Sequence, residues 1–555
     1  MNSKFLFLIT IFLISMIACQ KDKSKTMIIH NITGYTIQGD SLISFNAMAF
    51  ANGKVLDQGN YELLKDKYPD AKSYDGGGKV LLPGLIDAHG HVLGLGYSRL
   101  DVDLVGTRSL SDALQRVADY DKKYPDLNWI RGRGWNQELW TEDKFPTAKE
   151  LDNIVSDRPV WLVRVDGHAG WANSKALEEA HLTKDTKDPV GGKIMRDTNG
   201  NPTGILVDHA MDLMEKILPA RTEHEDSLAL EEALDRLREV GLTSVGDAGI
   251  PVSTYNLYKK FVDQRKMTSR IYAMILMQEP DFKILSKNGP VTSYGNDLLS
   301  LQSVKIYSDG ALGSRGAAML RPYSDDPGNK GLLFHTQDEL NKMVDTAVSK
   351  GYQVNIHAIG DRANREVLDA FGQAEKKYGE HGLRNRVEHA QVVAPEDIPR
   401  FKSLHLIASM QPTHATSDKN MAVDRIGKGR MKGAYAWQTF EKQGTVVAGG
   451  SDFPVESANP FFGLYAAVTR EDTTGNPPGG WYPEEKLSRL QAFKAFTINA
   501  AYAQHQENII GSLEKGKWAD FILVDKDYFK IPESDIWKIK VLETWLAGKK
   551  VYSKM

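Results

Sequence analysis

The chain has 555 residues, of which 25% are charged, and 69 Lys and Arg against 72 Asp and Glu give a formal net charge of -3. That composition suits a large folded core and argues against extended disorder. With no long basic tract to neutralise phosphates, nucleic acid is not an expected partner.

Lys4 precedes an apolar run over 5–14, followed by Ser15-Met16-Ile17-Ala18-Cys19 and a polar segment from Gln20. This reads as a secretory signal, too short for a good membrane span. The small residue before the cysteine resembles a bacterial lipobox, which implies a lipoprotein signal over 1–19 and lipidation of Cys19. The alternative is a cleaved signal with an incidental cysteine. Cys19 is the only cysteine, so no internal disulfide can form. The expected location is outside the cytoplasm, with acyl chains holding the protein to the periplasmic or cell-surface side of a bacterial membrane.

Residues 26–79 are β-rich and short-stranded, with turns at Asn52-Gly53 and Asp75-Gly76-Gly77-Gly78. From residue 80 strands alternate with amphipathic helices, clearest over 109–120, 223–240, 336–350 and 361–377. Strand candidates over 80–86, 243–246, 270–276, 303–307, 353–356, 386–387, 406–410 and 445–448 number eight, which predicts a (β/α)8 barrel of the α/β class over 80–499. A ninth run, 159–165, falls in an insertion over about 131–221, where Gly, Trp and Asn cluster, read as a substrate-covering subdomain. Past 499 the pattern turns β-like again at 520–524 and 541–545, so 26–79 and 500–555 are expected to form one composite β-sandwich.

The barrel rule places functional groups at the C-terminal ends of strands. The first strand candidate runs into Asp87-Ala88-His89-Gly90-His91, where alternation puts both imidazoles on one face, an arrangement suited to a transition metal. The fourth carries Lys305, the fifth ends at His357, the sixth at His389, and Asp452 follows the eighth. Four histidines, one lysine and one aspartate would therefore ring the barrel mouth.

These residues resemble the metal centre of the amidohydrolase superfamily, and the resemblance covers nearly all of the mature chain. Gly132-Arg133-Gly134-Trp135-Asn136, Arg164-Val165-Asp166-Gly167-His168-Ala169, Asp309-Gly310-Ala311-Leu312-Gly313-Ser314-Arg315 and His357-Ala358-Ile359-Gly360-Asp361-Arg362 are similar to its N-substituted formamide deformylase-like branch. The resemblance implies a distorted TIM-like barrel holding one or two divalent metals, zinc being best suited to the ligand set. His89 and His91 would bind one metal and His357 and His389 the other. Lys305, carboxylated by carbon dioxide, would bridge them, since an ammonium cannot ligate a cation. The alternative for Lys305 is an ion pair with Asp309. Asp452 would bind metal and shuttle a proton for metal-activated hydroxide; its alternative is a helix N-cap.

Trp135, Trp171 and His168 in the insertion either line a substrate pocket or pack the subdomain's own core. Arg315 either clamps a substrate carboxylate or forms a structural ion pair. Glu388 should face away from His389 and reads as a structural acid or one that supports a ligand from behind; His414, which follows the seventh strand, either touches substrate or, as the preferred reading, is a solvated loop histidine, and Asp87 and Asp247 read as packing or capping groups. The expected function is hydrolysis of a carbon–nitrogen bond in a small-molecule amide, an N-acyl or N-formyl amine. Hydrolysis of esters or cyclic amides, and a lipid-anchored metal-containing binding protein without turnover, are the alternatives. Oligomeric state is not legible.

Overall fold

A computed structural model describes residues 26–554, apart from 138–139, 143, 165–168, 190–191 and 314. The signal, Cys19 and His168 therefore lie outside the described residues. No helix among the described residues is long and apolar enough to cross a membrane.

The chain divides into two compact units, one formed by 1–91 with 234–555 and the other by 92–233. In the first, eight parallel strands form a nearly closed barrel: β1 (Leu85–Gly90), β2 (Leu242–Ile250), β3 (Arg270–Leu276), β4 (Leu299–Tyr307), β5 (Gln353–Ala358), β6 (Arg386–His389), β7 (Ile407–Met410) and β8 (Val447–Gly449). Each pairs with its neighbours in chain order, as a singly wound barrel requires. The seam between β8 and β1 is closed just beyond the strands. There Asp452 N donates to His89 O at 2.8 Å, and the Ser451 hydroxyl donates to Asp87 at 2.6 Å. Gly450 sits in this seam because a Cβ would lie 2.8 Å from both Asp87 Oδ1 and His89 N.

The surrounding helices follow from their sequence. Helix Gln337–Ser349 starts at a Thr336/Glu339 capping box and buries Leu340, Val344, Ala347 and Val348, one stripe at helical spacing. Helix Asp361–Tyr378 likewise buries Ala363, Val367, Leu368, Phe371 and Ala374, with Lys376 and Lys377 at its negative end.

Three boundaries differ from the sequence reading. The apolar run over 80–86 is two strands in two sheets. Val80–Pro83 pairs with Phe521–Val524, whereas Leu85–Gly90 joins the barrel, and the switch falls at Gly84, where a Cβ would be 2.1 Å from Thr243 Oγ1. Strands from both chain ends are thereby hydrogen-bonded into a single eight-stranded sheet that begins at Met27 and extends to Pro83, past the expected 79. Residues just past 500 are not strand: helix Ile498–Ala503 packs Ala500, Ala501 and Ala503 against Ile86, Ala88, Ile407 and Ala448 of the barrel. The buried pair Arg270–Asp520, at 2.7 Å, ties β3 to the segment leading into the sheet's C-terminal strands.

The second unit spans 92–233, wider than the expected 131–221. Its six-stranded sheet includes Ile130–Trp135, Val160–Arg164 and Ala169–Ala172. Helix Leu110–Lys123, whose periodicity suggested a barrel helix, buries Ala113, Val117 and Tyr120 in the same apolar cluster as Trp135 and Leu162. Helical period fixes which face is buried, but not the element that covers it.

Candidate metal centre

The barrel brings the predicted residues together at the C-terminal ends of its strands. His89, Lys305, His389 and Asp452 are buried, and His91 and His357 line the same cavity. His89, His389 and Asp452 each offer a ligand atom within 4.8 Å of the others. His91 Nε2 lies 3.1 Å from Asp452 Oδ1, Lys305 Nζ donates to His89 Nε2 at 3.2 Å, and the His357 and His389 ring centroids are 4.6 Å apart. His389 and Asp452 have positive φ (72° and 59°), strained backbone of the kind that clusters at functional sites.

Outer partners orient the rings. His89 Nδ1 donates to Glu388 Oε2 at 2.5 Å, His91 Nδ1 to the Ala248 carbonyl at 3.0 Å, and His389 Nδ1 to Gln411 Oε1 at 2.8 Å. With the proton on Nδ1, the buried neutral rings of His89 and His389 keep a lone pair on Nε2. That of His89 faces a carboxylate oxygen, Asp452 Oδ1, at 3.5 Å, and His91 Nε2 lies 3.1 Å from the same oxygen. Asp452 Oδ1 is buried without a hydrogen bond among the described residues. Acceptors converging on acceptors repel unless a cation lies among them, so the donor set fits a divalent metal. His357 Nε2 is 3.3 Å from Asp309 Oδ1, whose carboxylate already accepts from the Ala318, Ile359 and Gly360 amides, and it too lacks a formed hydrogen bond.

Electrostatics agree with this arrangement. Burial, reinforced by the Lys305 charge, pushes His89 down to about 4, and burial also holds His389 well below its ordinary range, so both are neutral at pH 7. Burial lowers the Lys305 ammonium to about 8. Burial opposes the charge of Asp452, yet His91 and the imidazoles of His89, His389 and His414 outweigh it and keep the carboxyl well below its usual range. Glu388 is likewise held low against its burial, by Arg386 and His89.

Several sequence readings need correction. Trp135 does not line the site: its side chain is fully buried in the core of the second unit, where its indole N–H donates to the Leu162 carbonyl at 2.8 Å. Trp171 lies in the same core. Arg315 is not free for a substrate, because Nε and a terminal nitrogen grip Asp325 at 3.2 and 2.9 Å. Lys305 makes no ion pair with Asp309, whose oxygens are taken by backbone amides. Asp452 caps no helix, since the next begins at Pro460.

His414 is no solvated loop histidine. It sits in the first turn of helix Pro412–Asp418, directly after β7, with Nε2 3.7 Å from Asp452 Oδ2 and its ring stacked on His389. The strand-end rule, applied to the seventh strand as to the others, favours this placement.

A parallel eight-stranded barrel with imidazoles, a lysine and an aspartate at its C-terminal mouth, where His89, His389 and Asp452 lie close enough to share an ion, defines a TIM-barrel protein with a candidate metal centre. A solved metal-dependent hydrolase of Pyrococcus horikoshii superposes with a TM-score of 0.75 at 29% identity, covering 92% of this chain and 99% of that one. YtcJ of Bacillus subtilis is 34% identical over 92% of this chain and 96% of its own length. N-substituted formamide deformylase of Arthrobacter pascens is 26% identical over 88% and 91%. The Amidohydrolase family profile matches residues 72–552, and the chain belongs to that family.

Proposed function

We propose that the protein hydrolyses the carbon–nitrogen bond of a small-molecule amide, an N-acyl or N-formyl amine, with Asp452 moving the proton. The observation that carries this reading is the convergence of imidazole nitrogens on the unpartnered Asp452 Oδ1. It is supported by the similarity to N-substituted formamide deformylase. His89, His91, His357, His389 and Asp452 would hold one or two divalent ions, zinc being suited to nitrogen and oxygen donors. When bound, such an ion lowers the pKa of a coordinated water toward neutrality and polarises a carbonyl.

The remaining chemistry belongs to the chain. Asp452, ionised and fixed by its surroundings, takes one proton from water as the oxygen adds to the carbonyl carbon, then returns it to the nitrogen as the C–N bond breaks. Amide and water thus become carboxylic acid and amine, and passage of the acid's proton to the amine leaves carboxylate and ammonium at neutral pH. Lys305, with its ammonium weakened by burial and without a carboxylate partner among the described residues, is suited to adding carbon dioxide at Nζ with loss of a proton, which would turn it into an anionic ligand. Glu388 and Gln411 hold His89 and His389 in one tautomer. Outside the site, Cys19 is proposed to carry the lipid that tethers the enzyme to the membrane.

The test is elemental analysis of the purified protein followed by turnover of an N-acyl and N-formyl amine panel by wild type and Asp452→Asn. Bound divalent metal and an activity reduced about a hundredfold or more by the substitution are expected. Bound metal with no Asp452-dependent turnover would refute the reading in favour of a binding protein.

A further inference from the structure

The cavity over the histidines, about 270 Å³, is lined by apolar Leu312, Ile359 and Val455 and by two acids beyond the centre itself, Asp418 and Glu456. Apart from Lys305 at the centre itself, no lysine or arginine lines it among the described residues. Asp418 is fixed in place: its Oδ2 accepts from the Tyr435 hydroxyl at 2.7 Å and Gln391 Nε2 at 2.9 Å, leaving Oδ1 for an occupant. Glu456 is braced by the Ser417 hydroxyl on Oε1 only. Lys419, next to Asp418 in sequence, is engaged by Asp472 at 2.8 Å. Burial pushes Asp418 above the ordinary carboxylate range, as expected of an acid short of counter-charge. Asp452, only 8% exposed and with Oδ1 unpartnered among the described residues, lines the same cavity, so the two acids share one space with the metal-binding groups.

We propose that the cavity selects amides whose amine arm carries a second, protonated nitrogen, with the scissile carbonyl at the histidines and the ammonium against Asp418 and Glu456. This deepens the hydrolytic reading above and rests on it for the position of the carbonyl. A primary ammonium brings three donors to carboxylate oxygens that lack them, in a half-buried setting where charge-assisted bonds are strong. A substrate carboxylate would instead meet two like charges.

Two measurements on the full metal-loaded protein test this. The first compares kcat/KM for the monoformamide of a linear diamine with that for the formamide of the matching monoamine and with a chain ending in carboxylate. The diamine derivative should be preferred, the carboxylate disfavoured, and Asp418→Asn and Glu456→Gln should each narrow the ammonium-to-neutral ratio by about tenfold, the effect of one weakened ion pair. The second is calorimetric binding of the free alkylammonium, which should weaken with salt and in both variants. Glu456, at the rim, keeps the test valid if the Asp418 variant folds poorly. Amide turnover with no ammonium preference, or a ratio unmoved by either variant, overturns the inference and leaves the hydrolytic reading standing. Ammonium binding that depends on both acids without turnover of any amide overturns the hydrolytic reading and the amide substrate with it, keeping only the ammonium contact with the two acids, and failure of both measurements sinks both.

Discussion

Replacing Glu388 with Gln should loosen the metal centre without touching a ligand atom. Glu388 Oε2 accepts from His89 Nδ1 at 2.5 Å, its Oε1 lies 2.7 Å from Arg386 Nε, and all three side chains are fully buried. The amide keeps the shape but removes the charge. Arg386 then lacks a counter-charge in the barrel interior, a change that typically costs about 3–5 kcal/mol. The lower end is expected, because Arg386 still donates to the Ala88 carbonyl at 2.7 Å and to Ser409 at 2.9 Å. His89 also exchanges a charged acceptor for a neutral amide oxygen that Arg386 competes for, and weakening of such outer partners lowers metal affinity about 10–100-fold, or about 1.4–2.7 kcal/mol. Denaturant unfolding reports the first effect and metal retention against a graded chelator the second. Adding Arg386→Met removes the orphaned cation and should restore much of the stability while leaving metal affinity low. A Glu388→Gln protein with wild-type metal affinity would refute the argument that this carboxylate positions His89.

Three further outcomes follow from the same geometry. His89 has a folded pKa near 4 against an ordinary 6.5, so between these values the unfolded chain binds more protons. His89 should remove about 3 kcal/mol from the metal-free protein as pH falls through that window, with His389 adding to the loss and Asp87, pushed up to about 7 by burial, opposing it; the His89 part is read as the difference between wild type and His89→Gln, and identical pH dependence of their melting curves would contradict it. His414→Ala, which removes the ring beside Asp452 Oδ2, should lower kcat by about a hundredfold at full metal occupancy; unchanged kcat would return His414 to a packing role. Cys19→Ala should release the protein from membranes of expressing cells and abolish fatty-acid labelling, and continued membrane association would argue against the lipid anchor.

Much of the centre was legible because barrels concentrate function at strand ends. His89, His91, Lys305, His357, His389 and Asp452 each follow or end an apolar strand run, and the structure gathers all six around one cavity. For His414 the sequence favours a loop residue over a substrate contact, because it lies past the end of the seventh strand; the helix after β7 brings it to Asp452. Trp135 misled because a tryptophan in a Gly-rich segment carries no mark of whether its ring faces a pocket or, as here, its own domain's core. The insertion's limits were hidden for a related reason: helix Leu110–Lys123 has the amphipathic period of a barrel helix, but its apolar face is met by the inserted sheet.

The sequence alone determined the repeating strand–helix order, the chemistry available at each strand end and the acidic or apolar character of each segment, because these are properties of neighbours along the chain. Tertiary structure decided the rest. It turned one apolar run into two strands of different sheets at Gly84, chose Glu388 as the partner of His89 across 299 positions, and brought Asp418 and Glu456 to the cavity that the histidines line. Those outcomes depend on which distant surfaces meet, and hydrophobic periodicity encodes the need for burial but not the identity of the surface that satisfies it.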